Sequence, residues 1–248
     1  MKSNKKLRIL KIIGYFCIVL ALCVSGALLF HAFYYESVYV SGDSMNPTLV
    51  GGNVEGAEAD FGIVDTHKGA INRIKRFDIV STYYPDERDY ADVENYTLLK
   101  NAKQKIKRVV ALPNETFKIE KSKLYVMKNN KYELVPYTFD VAPITDPNYV
   151  GKDSEARTLK DNEYWVLGDN RPNSRDSKSI DRPIRTKDIH GVLVAIEGRG
   201  KLAVSEYVCS YCGKAYKTKG TGYCAYCYGL LEAEYTVTSK KYHWPKYY

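Results

Sequence analysis

The run Lys105-Ile106-Lys107-Arg108-Val109-Val110-Ala111-Leu112-Pro113 is the stretch on which the reading of this chain turns. It has the period of a strand. Alternation sets Lys105, Lys107 and Val109 on one face and Arg108 on the other. Residues 109–112 are apolar throughout, so Lys107 heads a buried segment. Two readings of that lysine stand side by side. Its ammonium is a solvated charge on an amphipathic strand, or it is desolvated, which lowers its pKa and makes it a base near neutral pH. Arg108 points the opposite way and stays charged.

Working outward, the same texture recurs in 77–84, 116–119, 123–127, 164–167 and 191–196. Val, Ile, Tyr and Thr dominate these runs, and Pro, Gly, Asn and Asp fill the gaps. No stretch beyond the first 35 residues sustains a 3.6-residue period. The expected fold is therefore mainly β, and the 23 tyrosines suit half-buried pleated surfaces. Residues 128–162 are more polar and read as a loop excursion. Gly198-Arg199-Gly200-Lys201 reads as a hinge.

Residues 12–35 contain no Lys, Arg, Asp or Glu, enough to cross a hydrocarbon layer of about 30 Å at about 1.5 Å per residue. Lys2, Lys5, Lys6, Arg8 and Lys11 precede this run and Glu36 follows it. Positive charge inside predicts a cytoplasmic tail (1–11), a transmembrane helix (12–35) and an extracytoplasmic remainder. A cleaved secretory signal is the competing reading, with a shorter apolar run and a small-residue cut site. The formal charge is +8; setting the five tail positives aside leaves 32 basic against 29 acidic residues. The basic balance thus reflects topology and gives no ground for nucleic-acid binding.

Just past the anchor stands Ser41-Gly42-Asp43-Ser44-Met45-Asn46-Pro47-Thr48. Gly42 permits unusual backbone angles, and Pro47 biases Asn46 toward extended geometry. This is a strand-entry turn, or a turn that exposes Ser44 Oγ and aims the Ser44 amide at a developing oxyanion. A serine hydroxyl with an unprotonated amine makes a two-residue device for cutting amides. A third segment, Leu167-Gly168-Asp169-Asn170-Arg171-Pro172-Asn173-Ser174-Arg175-Asp176-Ser177, follows an apolar strand. Its polar side chains satisfy a local turn or frame a cation site, although the full ligand spacing of a calcium loop is missing.

Cys17 and Cys23 lie in the apolar run and act as small apolar residues. Cys209, Cys212, Cys224 and Cys227 form C-x2-C-x11-C-x2-C. That is the spacing of a four-cysteine zinc ribbon; two disulfides are the competing reading in an oxidising compartment. Gly213 and Gly229 are expected to turn backbone amides toward sulfur. A closed four-thiolate site keeps no vacant position, so the module (201–248) takes no catalytic role.

In this order the anchor and the three segments resemble the bacterial type I (leader) signal peptidases, the serine–lysine form. The resemblance covers about residues 1–197. It implies an antiparallel β catalytic domain (36–200) docked on the membrane, with Ser44 as nucleophile and Lys107 as general base. It implies that Arg108, Asp169 and Asp176 buttress the site, that Ser174 hydrogen-bonds Lys107, and that no cofactor takes part in catalysis. The chain departs from the family pattern at Asn114 and Lys178. Gly42 replaces a serine that supplies an oxyanion donor in some members, and the segment after Thr48 matches poorly. The implied substrates are signal-peptide-bearing preproteins with small residues at −1 and −3, and the implied environment is the lipid bilayer. None of His31, His67, His190 and His243 reads as catalytic, although histidine is the base in eukaryotic-type relatives. Two other functions remain on this reading: a processing protease for dedicated substrates, and a non-catalytic membrane-tethered adaptor whose ribbon docks an unidentified protein.

Overall fold

A computed structural model describes residues 2–99, 102–121, 123–135 and 155–247. The expected excursion at 128–162 lies partly outside these. The chain divides into two compact units, Met1–Glu36 and Ser37–Tyr248.

The first unit is one helix, α1 (Lys2–Tyr34). Its segment Leu10–Tyr34, 25 residues with a mean hydropathy of 2.5, is long and apolar enough to cross a membrane. The helix therefore begins ten residues earlier than the apolar run, because the basic tail is also helical.

The rest is mainly β. Fifteen strands are present among the described residues: β1 (Tyr35–Tyr39), β2 (Glu58–Asp65), β3 (Ile79–Thr82), β4 (Tyr90–Asp92), β5 (Thr97–Leu98), β6 (Lys105–Ala111), β7 (Thr116–Glu120), β8 (Lys123–Lys128), β9 (Lys131–Leu134), β10 (Arg157–Thr158), β11 (Glu163–Leu167), β12 (Ile184–Arg185), β13 (Ile189–Cys209), β14 (Ala215–Tyr216) and β15 (Leu231–Tyr247). Each apolar run picked out by its period lies on one of them. The main sheet runs β1-β2-β13-β3-β6-β11-β12, with β14 and β15 also paired to β13. From β2 to β12 the successive pairs are antiparallel, as are the pairs of β14 and β15 with β13. A second sheet runs β10-β7-β8-β9.

β13 organises this arrangement. It pairs with β3 over Ile189–Val192, with β2 over Val192–Lys201 and with β15 over Ala195–Cys209. Gly198-Arg199-Gly200-Lys201 lies inside this strand. Register shifts between Ile196 and Gly198 and between Arg199 and Lys201 mark local bulges, and the ladder continues past them. The expected hinge is therefore absent. β2 and β15 both stay paired to β13 across these bulges, and residues 37–248 form one compact unit.

Three apolar clusters fill the fold. Phe117, Leu124, Val126 and Trp165 join the second sheet to the main one, with Val110 and Ala111 of β6. Val80, Val109, Val166 and Ile184 form another. The third contains Val40, Met45, Leu49, Val64, Ile79, Leu193 and Ile196. Met45 and Leu49 are almost fully buried, so the turn carrying Ser44 is held down on both sides of its apex by hydrophobic contact.

Candidate active site

The Ser44 turn comes from the stretch between β1 and β2. Gly42 takes a left-handed φ of 73°, as its position before the turn requires, and its N–H donates to Gly52 O at 2.8 Å. Asn46 N–H closes onto Asp43 O at 3.0 Å. Lys107 comes from the middle of β6, paired with Val80 of β3. These two segments, 63 residues apart in the chain, bring Lys107 Nζ to 2.8 Å from Ser44 Oγ.

Lys107 is 3% exposed. Nζ also donates to the Ile106 carbonyl at 2.7 Å. Burial lowers its pKa from 10.5 to about 8, against the opposing pull of Asp176. Two carboxylates are near enough to matter, and both are already engaged. Asp169 receives Arg108 bidentately, Nε to Oδ1 at 2.8 Å and Nη2 to Oδ2 at 2.6 Å. Asp176 accepts from Gly168 N–H at 2.9 Å and from Lys178 Nζ at 3.2 Å, and it caps a second helix, α2 (Ser177–Ile180). Lys105 pairs with Asp89 in the same way.

Register explains the Arg108–Asp169 pair. Leu167 sits opposite Arg108 across β11 and β6, and Asp169 lies two residues on, with the same side-chain sense. Arg108 Nη1 completes its set on the Phe77 carbonyl at 2.9 Å. As alternation required, Arg108 and Lys107 go different ways, one to a carboxylate and one to a hydroxyl.

The third segment clasps the serine turn. Asn170 N–H donates to Ser44 O at 3.0 Å, Asn170 Nδ2 to Asp43 O at 3.0 Å, and Asn173 Nδ2 to Asp43 Oδ2 at 2.8 Å. Gly168 is the point of closest approach. A Cβ there would lie 2.5 Å from Ser44 O and 2.2 Å from Ser174 Oγ. One expected contact is not formed: Ser174 Oγ is buried without a hydrogen-bond partner, and Lys107 bonds Ser44 and Ile106 instead. Ser174 approaches Gly168, and its carbonyl, not its hydroxyl, accepts from Lys178.

Ser44 and Lys107 open onto a groove of about 970 Å³. Val38, Val40 and Met45 line it from the serine side, and residues 102–107 line it from the lysine side.

At the other end of β13, the four cysteines converge. Their sulfurs all lie within 4.8 Å of one another, and all four are unbridged. The closest approaches cross between the two knuckles, Cys209 to Cys227 at 3.4 Å and Cys212 to Cys224 at 3.7 Å. A tetrahedron of thiolates about 2.3 Å from a central zinc has edges of about 3.8 Å, so the set fits such an ion. Cys212 N–H and Tyr226 N–H turn toward sulfur, and Tyr216 hydroxyl lies 3.1 Å from Cys224 Sγ. These contacts hold the Cys209 and Cys224 thiols below their usual range. The glycine expectation holds for Gly229, whose backbone amide bonds the Cys227 thiol; Gly213, at a φ of 72°, instead donates its N–H to Cys209 O at 2.9 Å. In the second knuckle the left-handed residue is Tyr228, at 59°. Gly229 is there because a Cβ would sit 2.8 Å from Cys209 Sγ.

Sequence reasoning missed Asp43 as an anchor, Asp89 as the partner of Lys105, and the cysteine module as a neighbour of the groove. Asp43 lies inside the quoted motif and could have been suspected as a turn-side acceptor. The other two depend on pairings distant in sequence.

The family model described as "Signal peptidase, peptidase S26" matches residues 9–196, well over half of the chain. The chain belongs to that family of signal peptidases. Signal peptidase I V of Bacillus subtilis is 31% identical over 186 residues, 73% of this chain and 92% of the relative. Signal peptidase I of Streptococcus pneumoniae is 28% identical over 210 residues, 72% of this chain and 87% of the relative. The crystal structure of a signal peptidase I from Enterococcus faecalis aligns at a TM-score of 0.33 and 24% identity, over 49% of this chain and 97% of that one.

The buried Arg108–Asp169 pair yields a stability prediction. Asp169→Ala strands an almost fully buried guanidinium, and the loss is expected to be about 3–5 kcal/mol. Denaturant unfolding of the detergent-solubilised chain measures it; an unchanged midpoint would show that the pair is not a structural tie.

Proposed function

We propose that this chain is a membrane-anchored signal peptidase I whose catalytic pair is Ser44 and Lys107. Family membership makes it a serine endopeptidase. The observation that carries the finer reading is the 2.8 Å approach of a buried, carboxylate-free lysine to a serine hydroxyl.

The reaction follows from that geometry. Neutral Lys107 takes the Ser44 hydroxyl proton as Oγ attacks the scissile carbonyl. The oxyanion forms toward the Ser44 amide N–H, which makes no hydrogen bond among the described residues. Lys107 then passes its proton to the leaving amine, and the peptide C–N bond breaks. Water, deprotonated by Lys107, attacks the acyl-enzyme and frees Ser44. Gly42 supports this by shaping the turn, since its own N–H is spent on Gly52. Arg108, Asp169 and Asp176 fix the third segment against the Ser44 carbonyl. The substrates on this reading are preproteins carrying signal peptides. The basic tail of α1 lies in the cytoplasm and the groove faces the other side, where those segments emerge.

The four cysteines hold a structural zinc on this reading. Cys209, Cys212, Cys224 and Cys227 would hold the ion through four thiolates, and it would supply a cross-link between the two knuckles with no position left to activate substrate or water.

Three outcomes are expected. Ser44→Ala, and Lys107→Arg separately, should lower preprotein cleavage more than about a thousandfold while leaving the chain folded. Cleavage by Lys107→Arg near the wild-type rate would refute the base assignment, because a guanidinium keeps its proton at any working pH.

The pH profile follows from the depressed lysine. Below its pKa Lys107 is protonated and cannot accept, so the rate should climb with pH along a limb centred near 8. A histidine base would centre the limb at about 6.5. A limb at that lower position, abolished by His190→Gln, would transfer the role to histidine.

Metal analysis should give about one zinc per chain with no disulfide by mass, and Cys224→Ser should lower the zinc content. Two intact disulfides in the native protein would rule the metal out.

A further inference from the structure

The cysteine module performs no bond chemistry, yet its return strand enters the groove that holds the serine. Residues 231–235, the start of β15, line the same groove as Ser44 and Lys107, and Lys219 joins them from the module. This segment is tied to both sides of the groove. On one side the Tyr235 hydroxyl donates to Asn53 O at 3.2 Å. There too the Tyr235 backbone bonds the Tyr39 hydroxyl, and burial, then the Glu234 carboxylate, push the Tyr39 phenol up. On the other side Lys103 Nζ lies 3.0 Å from Glu234 and 3.5 Å from Glu232.

The placement is set by the sheet. β15 follows β13 from Ala195↔Tyr247 to Cys209↔Leu231. Leu231 is then buried against Cys209 and Cys224. The knuckles therefore hold the point at which the chain drops into the groove. Lys103 lies four residues before Lys107, on the segment leading into β6. At about 3.3 Å per extended residue, the ion pairs stand roughly 13 Å along the groove from the catalytic lysine.

We propose that residues 231–235 form a third wall of the substrate groove, and that Lys103, Glu232 and Glu234 are specificity-determining residues for the polypeptide substrate about four residues from the bond cleaved. This rests on the Ser44–Lys107 reading of the site. All three side chains are partly exposed, so a substrate side chain at this level meets them directly. Two carboxylates here balance Lys103 and Lys219. Removing the acids leaves a basic level that favours an acidic substrate residue; removing Lys103 leaves an acidic excess that favours a basic one.

The test uses the full chain in detergent and peptide pairs that differ only in Lys or Glu, placed at the fourth residue on either side of the cleaved bond. Glu232→Gln with Glu234→Gln should shift the ratio of kcat/KM values toward the Glu peptide by roughly fivefold, and Lys103→Gln should shift it toward the Lys peptide by a similar factor. Both effects should fall mainly on KM. The opposed directions are decisive, because either variant would loosen the same wall, and loosening alone would move the ratio one way in both. Shifts in the same direction, or ratios unchanged within about twofold, overturn the proposal. Labelling of Ser44 by an acylating inhibitor is followed in parallel. A wild-type chain that cleaves without Ser44 being labelled would defeat the dyad, whatever the wall does.

Discussion

An amine buried beside a hydroxyl, with no carboxylate of its own, is the constraint around which the catalytic half of this structure is arranged. Lys107 is almost fully enclosed, and among the described residues its Nζ meets only Ser44 Oγ and the Ile106 carbonyl. Moving its pKa from 10.5 to about 8 corresponds to roughly 3 kcal/mol of penalty on the charged form. The sign for stability follows. Below about 8 the lysine is protonated in both folded and unfolded chains, and the folded one carries the whole penalty. Between about 8 and 10.5 the folded chain releases a proton that the unfolded chain keeps, so folding gains as pH rises through that window. The fold thus tolerates a cost at neutral pH that an ordinary core would remove.

That cost persists because nearby acids are prevented from relieving it. Asp169 faces Arg108 in two parallel hydrogen bonds, and Asp176 is shared between a backbone amide, a helix start and Lys178. If either carboxylate turned to Lys107, the ammonium would be stabilised and its pKa would rise. The third polar segment is therefore more than a scaffold for the serine turn. It places negative charge close to the lysine while committing that charge elsewhere. Gly168 is what lets it come close, since any side chain there would collide with the Ser44 carbonyl.

How much of this was legible in the sequence depended on range. The strands of the catalytic domain could be read because their period is local, and Lys107 and Arg108 separated by simple alternation. The convergence of Ser44, Lys107 and the 167–177 segment was readable only by resemblance, since no local rule brings residues 63 positions apart to hydrogen-bond distance. The Ser174 contact failed because family resemblance carries residue types and not rotamers: here its hydroxyl faces Gly168. The supposed hinge failed for a physical reason as well. Two glycines flanking an arginine look like a break, but inside a long strand they mark bulges through which the ladder continues. In the second knuckle, the left-handed residue proved to be Tyr228 because the adjacent glycine was already required by sulfur contact.

The extended hairpin also bears on why a four-cysteine cluster stands at the tip of β13. β13 leaves the main sheet after its pairing with β2 and continues to Cys209, well beyond the support of the catalytic core. A two-stranded ribbon of that length is marginal in water by itself. Its apolar content at the tip is small, three buried residues of which two are cysteines. A metal held by the four sulfurs, as proposed, would cross-link the tip in place of the missing core, so the ribbon would hold a fixed course. A fixed course is what a groove wall requires, because residues 231–235 meet Lys103 and Asn53 only if the strand emerges from the knuckles at a set height. The cluster is thus best understood as a means of carrying rigidity from one end of the long strand to the edge of the catalytic groove.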